Sequence, residues 1–478
     1  MSGGVSGRFY GVGVGPGDPE LITRKAARVI GEADVVAYHA GVGKQSYARG
    51  IAADLIRAGT VEEVLHYPVT TGHTDHPGGY VGALADFYEQ SAERLAAHLS
   101  AGRTVALLAE GDPLFYGSYM YLHDRLSARF ATEVIPGVPG FAAATAVAAL
   151  PLVRQTDVLT VLPATLPEDE LAQRLAGTDA AIIMKLGRTF PKVRRALATA
   201  GRLDHALYVE RASHTDQRWL PVAAMDEADD ASVPYLSLIV VTGDSRNGPR
   251  SRTPAGLEQP AQSASEAAEL LVVGLGPGPD RWLTAEAAAA LAGVDHVVGY
   301  GPYVARVPRR PGLQRHASGN TVELDRARFA LDLARRGEKV AVVSGGDAGV
   351  FGMAAAVFEA AAEPAPAERY RDVPIRVLPG VSAVQAVAAA AGAPLGGDFA
   401  VLSLSDRLKP WSVIEARLRA IADADLVLAI YNPASRARPD QIRLARKVLL
   451  ERRAPDTVVV LGRDVGRDGE TLTVTTLA

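Results

Sequence analysis

Short apolar runs alternate along this chain with longer stretches that are apolar on one helical face only. In the first third, apolar runs at 9–14, 33–38, 104–109 and 133–135 predict strands. Between them, residues 80–100 place Leu84, Phe87, Ala92, Leu95 and Leu99 at helical spacing, which predicts a helix. Further helices are predicted at 118–128 and in the alanine-rich stretch up to Leu150. Strands that alternate with helices indicate an α/β layer with a mostly parallel sheet.

From Asp157 the chain continues as a second α/β unit. Apolar runs predict strands at 158–162, 180–184, 206–209 and 235–242, with helices at 168–175 and 192–200. By contrast, residues 42–80 are polar and contain Gly, His and Pro, so they are predicted to form a loop.

After residue 268 the whole pattern recurs. Gly13-Val-Gly-Pro-Gly17 returns as Gly274-Leu-Gly-Pro-Gly278, and Thr23 and Asp34 align without gaps with Thr284 and Asp295. Strands are predicted at 270–273, 294–298, 339–343, 375–378, 399–404, 426–431 and 457–461. Because the chain stops at Ala478, the last strand of this half is expected to be short or truncated. The repeat predicts two tandem copies of one two-lobed α/β fold, with a cleft between the lobes of each copy.

The repeat also sets the predicted domain boundaries. The first copy is expected at 1–245, with lobes at about 1–150 and 151–245, and the second at 269–478, with lobes at about 269–395 and 396–478. Residues 246–268 carry few apolar anchors and are predicted to be a linker.

Composition excludes several classes of function. The chain has 478 residues, and its 50 basic and 54 acidic side chains give a net charge of −4, so charge does not predict a nucleic-acid partner. It has no cysteine, which excludes thiolate catalysis and disulfides and favours a cytoplasmic location. The sequence contains no run of ~18 or more apolar residues, so no membrane span is predicted. The His73-x-x-His76 pair lies in a Gly- and Pro-rich loop without an evident third ligand, so no metal site is predicted.

Three glycine turns follow three strands in each copy. They are the Gly-Pro-Gly turn, a Gly-Asp turn containing Asp112 or Asp347, and a Pro-Gly-Val turn beginning at Pro136 or Pro379. Loops at the carboxyl ends of parallel strands border the ligand crevice of an open sheet. Three such turns at one sheet edge, in two copies, predict a ligand site in each half.

A dinucleotide does not fit these turns. The dinucleotide fingerprint is Gly-x-Gly-x-x-Gly, but the sixth position is Asp18 counted from Gly13 and Pro279 counted from Gly274. The prolines also remove backbone donors that a pyrophosphate would need. The sequence contains neither a Walker loop nor a Gly-x-Ser-x-Gly nucleophile elbow.

Longer strings around these turns resemble the tetrapyrrole (corrin/porphyrin) methyltransferases. Glu110-Gly-Asp-Pro-Leu-Phe-Tyr-Gly117 and the Tyr-rich stretch up to Leu122 resemble precorrin-2 C20-methyltransferases. Ser344-Gly-Gly-Asp-Ala-Gly-Val-Phe-Gly352, the stretch Leu402 to Trp411 and Tyr431-Asn-Pro-Ala-Ser-Arg436 resemble precorrin-3B C17-methyltransferases. One departure from the pattern is Pro279-Asp280, where the first half has Asp18-Pro19.

The resemblance implies a class III methyltransferase fold and a bifunctional enzyme of cobalamin synthesis that uses S-adenosylmethionine and releases S-adenosylhomocysteine. By position, the N-terminal cofactor contacts are expected to be Pro16, Glu110, Gly111, Asp112, Tyr116, Thr145 and Lys185. The C-terminal contacts are expected to be Pro277, Gly345, Gly346, Asp347, Phe351, Ser382 and Tyr431.

In such a reaction the enzyme mainly has to hold the tetrapyrrole carbon, the methyl group and the sulfur in line. The sulfonium methyl is already electrophilic, and the reduced tetrapyrrole carbon is already electron-rich. Asp112, Tyr116 and Asp347 are candidates for a base that removes a proton after methylation. A polycarboxylate tetrapyrrole would be bound by cations, and two runs supply them. The first run holds Arg188, Lys192, Arg194 and Arg195, and the second holds Arg407, Lys409, Arg436 and Arg438.

Two alternatives remain open at this point. One is a nucleotide-dependent tetrapyrrole oxidoreductase, against which the glycine spacing speaks. The other is a fusion in which one half only carries the tetrapyrrole. The class implies either a homodimer or an internal pseudo-dimer of the two halves, with neither nucleic acid nor membrane as a partner.

Overall fold

The computed structural model describes residues 7–69, 74–153, 157–226, 233–243, 268–319, 322–362, 370, 372–392, 395–405, 409–434 and 439–478. The interval 246–267 of the predicted linker lies outside them. In chain order the strands are β1 (Arg8–Gly13), β2 (Val35–Gly41), β3 (Val61–Tyr67), β4 (Val105–Ala109), β5 (Ala131–Ile135), β6 (Leu159–Pro163), β7 (Ala180–Met184), β8 (Ala206–Glu210), β9 (Arg218–Pro221), β10 (Ser237–Val241), β11 (Leu270–Gly274), β12 (His296–Tyr300), β13 (Gln314–Ser318), β14 (Val340–Ser344), β15 (Ile375–Leu378), β16 (Phe399–Ser403), β17 (Val427–Tyr431), β18 (Val458–Arg463) and β19 (Thr471–Thr476).

Helices connect most of these strands. They are α1 (Arg24–Glu32), α2 (Tyr47–Ile51), α3 (Gly79–Ser100), α4 (Tyr119–Leu126), α5 (Gly140–Val147), α6 (Glu168–Gly177), α7 (Phe190–Thr199), α8 (Ala285–Gly293), α9 (Gly301–Arg306), α10 (Glu323–Arg335), α11 (Met353–Ala361), α12 (Ala383–Ala391), α13 (Trp411–Asp423) and α14 (Gln441–Leu449).

The first lobes of the two halves have the same topology. One parallel sheet has the order β3-β2-β4-β1-β5 and the other the order β13-β12-β14-β11-β15, so every strand has its counterpart in the repeat. The central strands β1, β4, β11 and β14 are covered on both faces, which explains their continuous apolar sequences. Helices α1 and α8 begin at Thr23 and Thr284, whose hydroxyls accept N–H bonds from Ala26 and Ala287. The predicted duplication is therefore confirmed.

The second lobes of the two halves join in a single sheet. Its seven strands have the order β17-β16-β6-β7-β10-β8-β9, and β16 of the second half pairs antiparallel with β6 of the first. Strands β18 and β19 form a separate hairpin. One apolar cluster accordingly crosses the boundary and contains Phe141 and Leu159 together with Phe399 and Val401. The halves fold against each other rather than as separate units.

The first lobes also touch across the repeat. Thr23 and Thr284 form an isolated antiparallel bridge, and the Arg24 N–H donates to the carbonyl of Leu283 over 3.2 Å. Each helix cap therefore contacts its own copy in the other half, as expected for two units related by approximate twofold symmetry.

Several sequence predictions need correction. The interval 42–80 is not simply a loop, because it contains α2 and the edge strand β3. Strands β9, β13 and β19 were also not predicted. These strands are polar or lie at an edge, as in the exposed pattern of β19, and therefore lack a continuous apolar run. Within the described part of the chain, no helix is long and apolar enough to cross a membrane.

A buried ion pair lies across the shared sheet. Arg417 on α13 contacts the carboxylate of Asp179, just before β7, at 2.6 Å, with 14% and 4% of the side-chain surfaces exposed. Asp179 also accepts the Val158 N–H at 2.8 Å. Removing one partner of a buried pair leaves an uncompensated charge.

We expect Arg417→Ala to lower the free energy of unfolding by roughly 3 kcal/mol, because it strands the buried Asp179 carboxylate. The measurement is chemical denaturation of the full chain. Arg419→Ala is the matched control, since Arg419 lies on the same helix and pairs with Glu451 in solvent. Equal midpoints for the two variants would contradict a stabilising role for the pair between the halves.

Candidate active-site cleft

Three backbone loops meet at the carboxyl ends of β1, β4 and β5. Gly15 and Gly111 exchange hydrogen bonds, with N···O distances of 3.3 and 2.8 Å. A Cβ added to Gly137 would lie 2.0 Å from the Gly111 carbonyl oxygen, and one added to Gly13 would lie 2.5 Å from the Gly137 nitrogen. Side chains at these positions would drive the loops apart, so the contact requires glycine.

The second half repeats this contact. Gly276 and Gly346 exchange hydrogen bonds at 3.0 and 2.9 Å, and a Cβ on Gly380 would lie 2.7 Å from the Gly346 carbonyl oxygen. Both halves therefore present the same bare backbone surface at the sheet edge where a ligand crevice was predicted.

Asp112 and Asp347 tie two of the loops together. Asp112 accepts N–H bonds from Leu114 at 2.9 Å and from Gly137 at 3.1 Å, and Asp347 accepts from Gly349 at 2.8 Å and Gly380 at 2.9 Å. Burial raises the pKa of Asp112 to about 6 and also raises that of Asp347, against the opposing effect of these backbone donors. Their oxygens face protein donors, which favours a loop-holding role over the proton transfer suggested by the sequence.

Asp112 also connects the two halves. Gln385, on α12 of the second half, donates its amide to Asp112 Oδ2 at 3.3 Å and to the carbonyl of Gly137 at 2.9 Å. Gln385 and Ser382 form a capping box at the start of α12, so the amide is held by its own helix. The loops of the first half are thus supported from the second.

Tyr116 and Phe351 occupy equivalent positions with unusual backbone. Their φ angles are +54° and +52°, in a region that non-glycine residues seldom adopt. Such strain persists where the surrounding structure fixes it, and it is common at ligand sites. The Tyr116 hydroxyl donates to Asp398 at 3.0 Å, and burial raises its pKa.

Lys185 follows β7 and faces the Tyr116 ring. Its Nζ lies 4.6 Å from the ring centroid, and its φ is +60°. Burial lowers the pKa of this ammonium, while the charge of Asp398 opposes the shift. The structure thus brings together Tyr116 and Lys185, which the sequence had assigned to one site. The position equivalent to Lys185 in the second half is Asn432, with a φ of +51°.

The remaining assigned residues of the second half also lie together. The Tyr431 ring centroid is 5.4 Å from that of Phe351, and the Tyr431 hydroxyl accepts the Val384 N–H at 3.0 Å. Burial raises the Tyr431 pKa to about 12, and Ser382 lies beside its hydroxyl. In contrast, Thr145 is buried and bonds its own helix at Ala142, which leaves its hydroxyl pointing away from open space.

Glu110 and Gly345 are the first residues after β4 and β14. Glu110 is half-buried, and burial raises the pKa of its carboxyl to about 7. The hydroxyl of Tyr235, from the other lobe, is electrostatically coupled to Glu110, Tyr80 and Tyr88. Ser118 links the hydroxyls of Tyr67 and Tyr88. The Glu110 carboxyl of the first half is therefore coupled to a phenol of the other lobe, whereas the equivalent residue of the second half, Gly345, has no side chain.

Both Gly-Pro-Gly turns are capped by a hairpin of the second lobe. His214, in the β8–β9 turn, approaches the Pro16 carbonyl oxygen with Nε2 at 3.1 Å. Arg467, in the β18–β19 turn, donates to the Pro277 carbonyl through Nε at 3.0 Å. Sequence reasoning missed both residues, because they lie in short polar turns with no motif, and only the repeat of hairpins β8–β9 and β18–β19 could have indicated them.

The basic runs only partly meet the sequence expectation. Arg195 pairs with Glu168 at 2.7 Å, and Lys192 donates to the Leu166 carbonyl at 2.5 Å, so these two bind α6 and its N-terminal loop. Lys409 is buried, which lowers its pKa to about 8. Arg407, Arg436 and Arg438 lie outside the described residues, as does His73. Among the residues described, no group of three His, Asp or Glu side chains is arranged to hold a metal.

Comparison with known proteins agrees with this architecture. The family Tetrapyrrole (Corrin/Porphyrin) Methylases matches residues 8–227 and again residues 269–478. The chain belongs to this family, with two of its domains in tandem, and it is a methyltransferase.

The cobalamin biosynthesis protein CobIJ of Mycobacterium tuberculosis (strain ATCC 25618 / H37Rv) is 54% identical over 459 residues, which cover 96% of this chain and 85% of that protein. The N-terminal half is similar to a precorrin-2 C(20)-methyltransferase of Sinorhizobium sp, which is 53% identical and is covered over 98% of its length by 51% of this chain. The C-terminal half is similar to a precorrin-3B C(17)-methyltransferase of Sinorhizobium sp, 50% identical over 43% of this chain and 80% of that protein. A crystal structure of the methyltransferase CobJ, 46% identical, covers 44% of this chain and 87% of its own, with a TM-score of 0.43.

We expect Gly137→Ala to lower the thermal midpoint and to cost roughly 2 kcal/mol of stability, because its Cβ meets the Gly111 carbonyl. Gly177→Ala is the control, since nothing lies within 4 Å of a Cβ there. The measurement is thermal unfolding of both variants. A Gly137→Ala protein as stable as the control would show that the loops can separate without cost.

Proposed function

We propose that this chain is a bifunctional S-adenosylmethionine-dependent C-methyltransferase of corrin synthesis. The N-terminal half methylates precorrin-2 at C20, and the C-terminal half methylates precorrin-3B at C17. The observation that carries the proposal is the contact of three backbone loops that recurs in both halves. Each half is also similar to a different relative with a single activity. The absence of cysteine fits a cytoplasmic enzyme.

Glycines at unusual backbone angles support the assignment of these loops to S-adenosylmethionine. Gly111 and Gly346 have φ angles of +66° and +75°, so glycine is required at both positions by the backbone conformation. We assign the holding contacts to the two sets of seven residues named in the sequence analysis. Thr145 has the weakest support, because its hydroxyl is bonded within α5.

Bound S-adenosylmethionine supplies a methyl group that is already electrophilic. The residues of this chain then need to fix the tetrapyrrole carbon in line with that methyl group and to keep water away. Asp112 and Asp347 contribute by locking the loops. Lys185, held over the Tyr116 ring, gives the first cleft a cation for a substrate carboxylate.

We also propose that the two halves act as an internal pseudo-dimer. The shared sheet, the Thr23–Thr284 bridge and the contact of Gln385 with Asp112 support this arrangement. Sedimentation of the full chain would test it, with a single-chain species as the expected result and an obligate two-chain species as the contrary one.

Two activities on two loop sets can be separated by mutation. We expect Asp112→Ala to reduce methylation of precorrin-2 by at least roughly tenfold, because two backbone N–H groups lose their acceptor at about 1–3 kcal/mol each. Asp347→Ala should do the same to methylation of precorrin-3B. The measurement is methyl gain by mass spectrometry, with calorimetry to count S-adenosylmethionine sites, two in the wild type and one in each variant.

The control for both variants is Asp204→Ala, an exposed position on the second lobe. A wild-type protein that methylates neither precorrin would refute the proposed function. One active half beside a half that binds the tetrapyrrole without methylating it would support the carrier alternative. Binding of NAD(P) without binding of S-adenosylmethionine would instead support an oxidoreductase.

A further inference from the structure

The two methylations differ in what happens to a hydrogen. C20 is a bridging carbon of the macrocycle that carries one hydrogen, so the new carbon–carbon bond leaves a carbon with both a methyl group and a hydrogen. Restoring the conjugated system requires that this proton leave. C17 is a ring carbon that carries a carboxylic side chain and no hydrogen, so no proton leaves it. The first cleft therefore needs a proton acceptor at the methylated carbon, and the second cleft does not need one there.

The two clefts differ at one position in the way this chemistry requires. Strands β4 and β14 align residue for residue, and the first residue beyond each is Glu110 in one half and Gly345 in the other. Gly345 is itself covered by Tyr303, since an added Cβ would lie 2.6 Å from the Tyr303 ring. A side chain at this position of the second half would require the Tyr303 ring to move.

We propose that Glu110 is the catalytic base of the first half, and that its carboxylate accepts the C20 proton after methyl transfer. In this step the carbon–methyl bond forms as the methyl–sulfur bond breaks, S-adenosylhomocysteine leaves, and the C20 proton goes to Glu110. The carboxyl then returns the proton to water. This inference rests on the proposed C20 methylation and reassigns Glu110 from holding the methyl donor to acting on the tetrapyrrole.

The surroundings of Glu110 suit this role. The Tyr235 phenol, from the loop before β10, is electrostatically coupled to Glu110, and Tyr80 and Tyr88 on α3 are coupled to Tyr235 in turn. His39 lies at the end of the neighbouring strand β2, and burial lowers its pKa to about 4, so it is neutral. Among the described residues, none donates a hydrogen bond to the Glu110 carboxyl. A base with a pKa near 7 is well matched to proton transfer at neutral pH.

The other candidates are less suited to accept the proton. The oxygens of Asp112 are held by Leu114, Gly137 and Gln385. The Tyr116 hydroxyl already donates to Asp398, and burial raises its pKa, so its phenolate is not available. Within the part of the chain that the structure describes, no protein group donates to the Glu110 carboxyl, so its oxygens are left for substrate.

Glu110→Gln in the full chain tests the assignment, because glutamine keeps the shape but cannot accept a proton. We expect kcat for precorrin-2 methylation to fall by roughly 10²–10⁴-fold, with precorrin-3B methylation unchanged in the same molecule. Two calorimetric S-adenosylmethionine sites should remain. In the wild type, kcat of the first half should rise as pH rises through about 7, since the carboxylate is the active form, and the rise should be absent in the variant.

Precorrin-2 that carries deuterium at C20 allows the kinetic isotope effect to be measured. A purely structural role of Glu110 would leave this isotope effect unchanged. A primary isotope effect on the first activity should grow in Glu110→Asp, where the shortened carboxylate makes proton removal slower. Glu32→Gln, at the exposed C-terminal end of α1, is the control for the substitution. Loss of S-adenosylmethionine binding in Glu110→Gln, or retention of more than about a tenth of kcat with an unchanged pH profile, would overturn the assignment. A wild-type protein inactive on precorrin-2 would instead refute the proposed function.

Discussion

The structure depends on the close approach of three backbone loops at the end of each parallel sheet. In the first half the Gly137 backbone lies against the Gly111 carbonyl, and the Asp112 carboxylate bridges the two loops from below. Nothing larger than glycine fits between them, and the buried carboxylate finds its donors only when the loops are together. This contact holds together the loops that follow β1, β4 and β5.

The second half satisfies the same constraint with other residues around it. Gly380, Gly346 and Asp347 repeat the contact, and the Pro277 turn is capped by Arg467 where the first half uses His214. His214 and Arg467 differ in chemistry, but each binds the proline carbonyl of the Gly-Pro-Gly turn in its own half. The duplicated parts are therefore the backbone and its anchoring carboxylates, whereas the side chains that face the cleft have diverged. Such a division is expected when two reactions share a methyl donor and differ in the acceptor.

The sequence predicted the parts of the fold that are buried on both faces. Strands such as β4 and β7 have continuous apolar runs, and their positions followed directly from the pattern. Edge strands were missed, because β3 and β19 carry charged or threonine-rich sequences that also suit loops. The seven-stranded sheet could not be predicted either. The pairing of β16 with β6 joins residues far apart in sequence, and no local pattern specifies which strand will cover an edge.

The candidate site shows the same limit. Glycine spacing and the repeat indicated the loops and excluded a dinucleotide, because those arguments concern backbone geometry within a few residues. They could not show that the Asp112 carboxylate accepts hydrogen bonds from Gly137 and Gln385, nor that Glu110 is coupled to the Tyr235 phenol of the other lobe. Both depend on contacts between distant segments. A carboxylate next to a glycine turn has one role when backbone donors surround it and another when they do not, so the difference between Asp112 and Glu110 becomes visible only once the chain is folded.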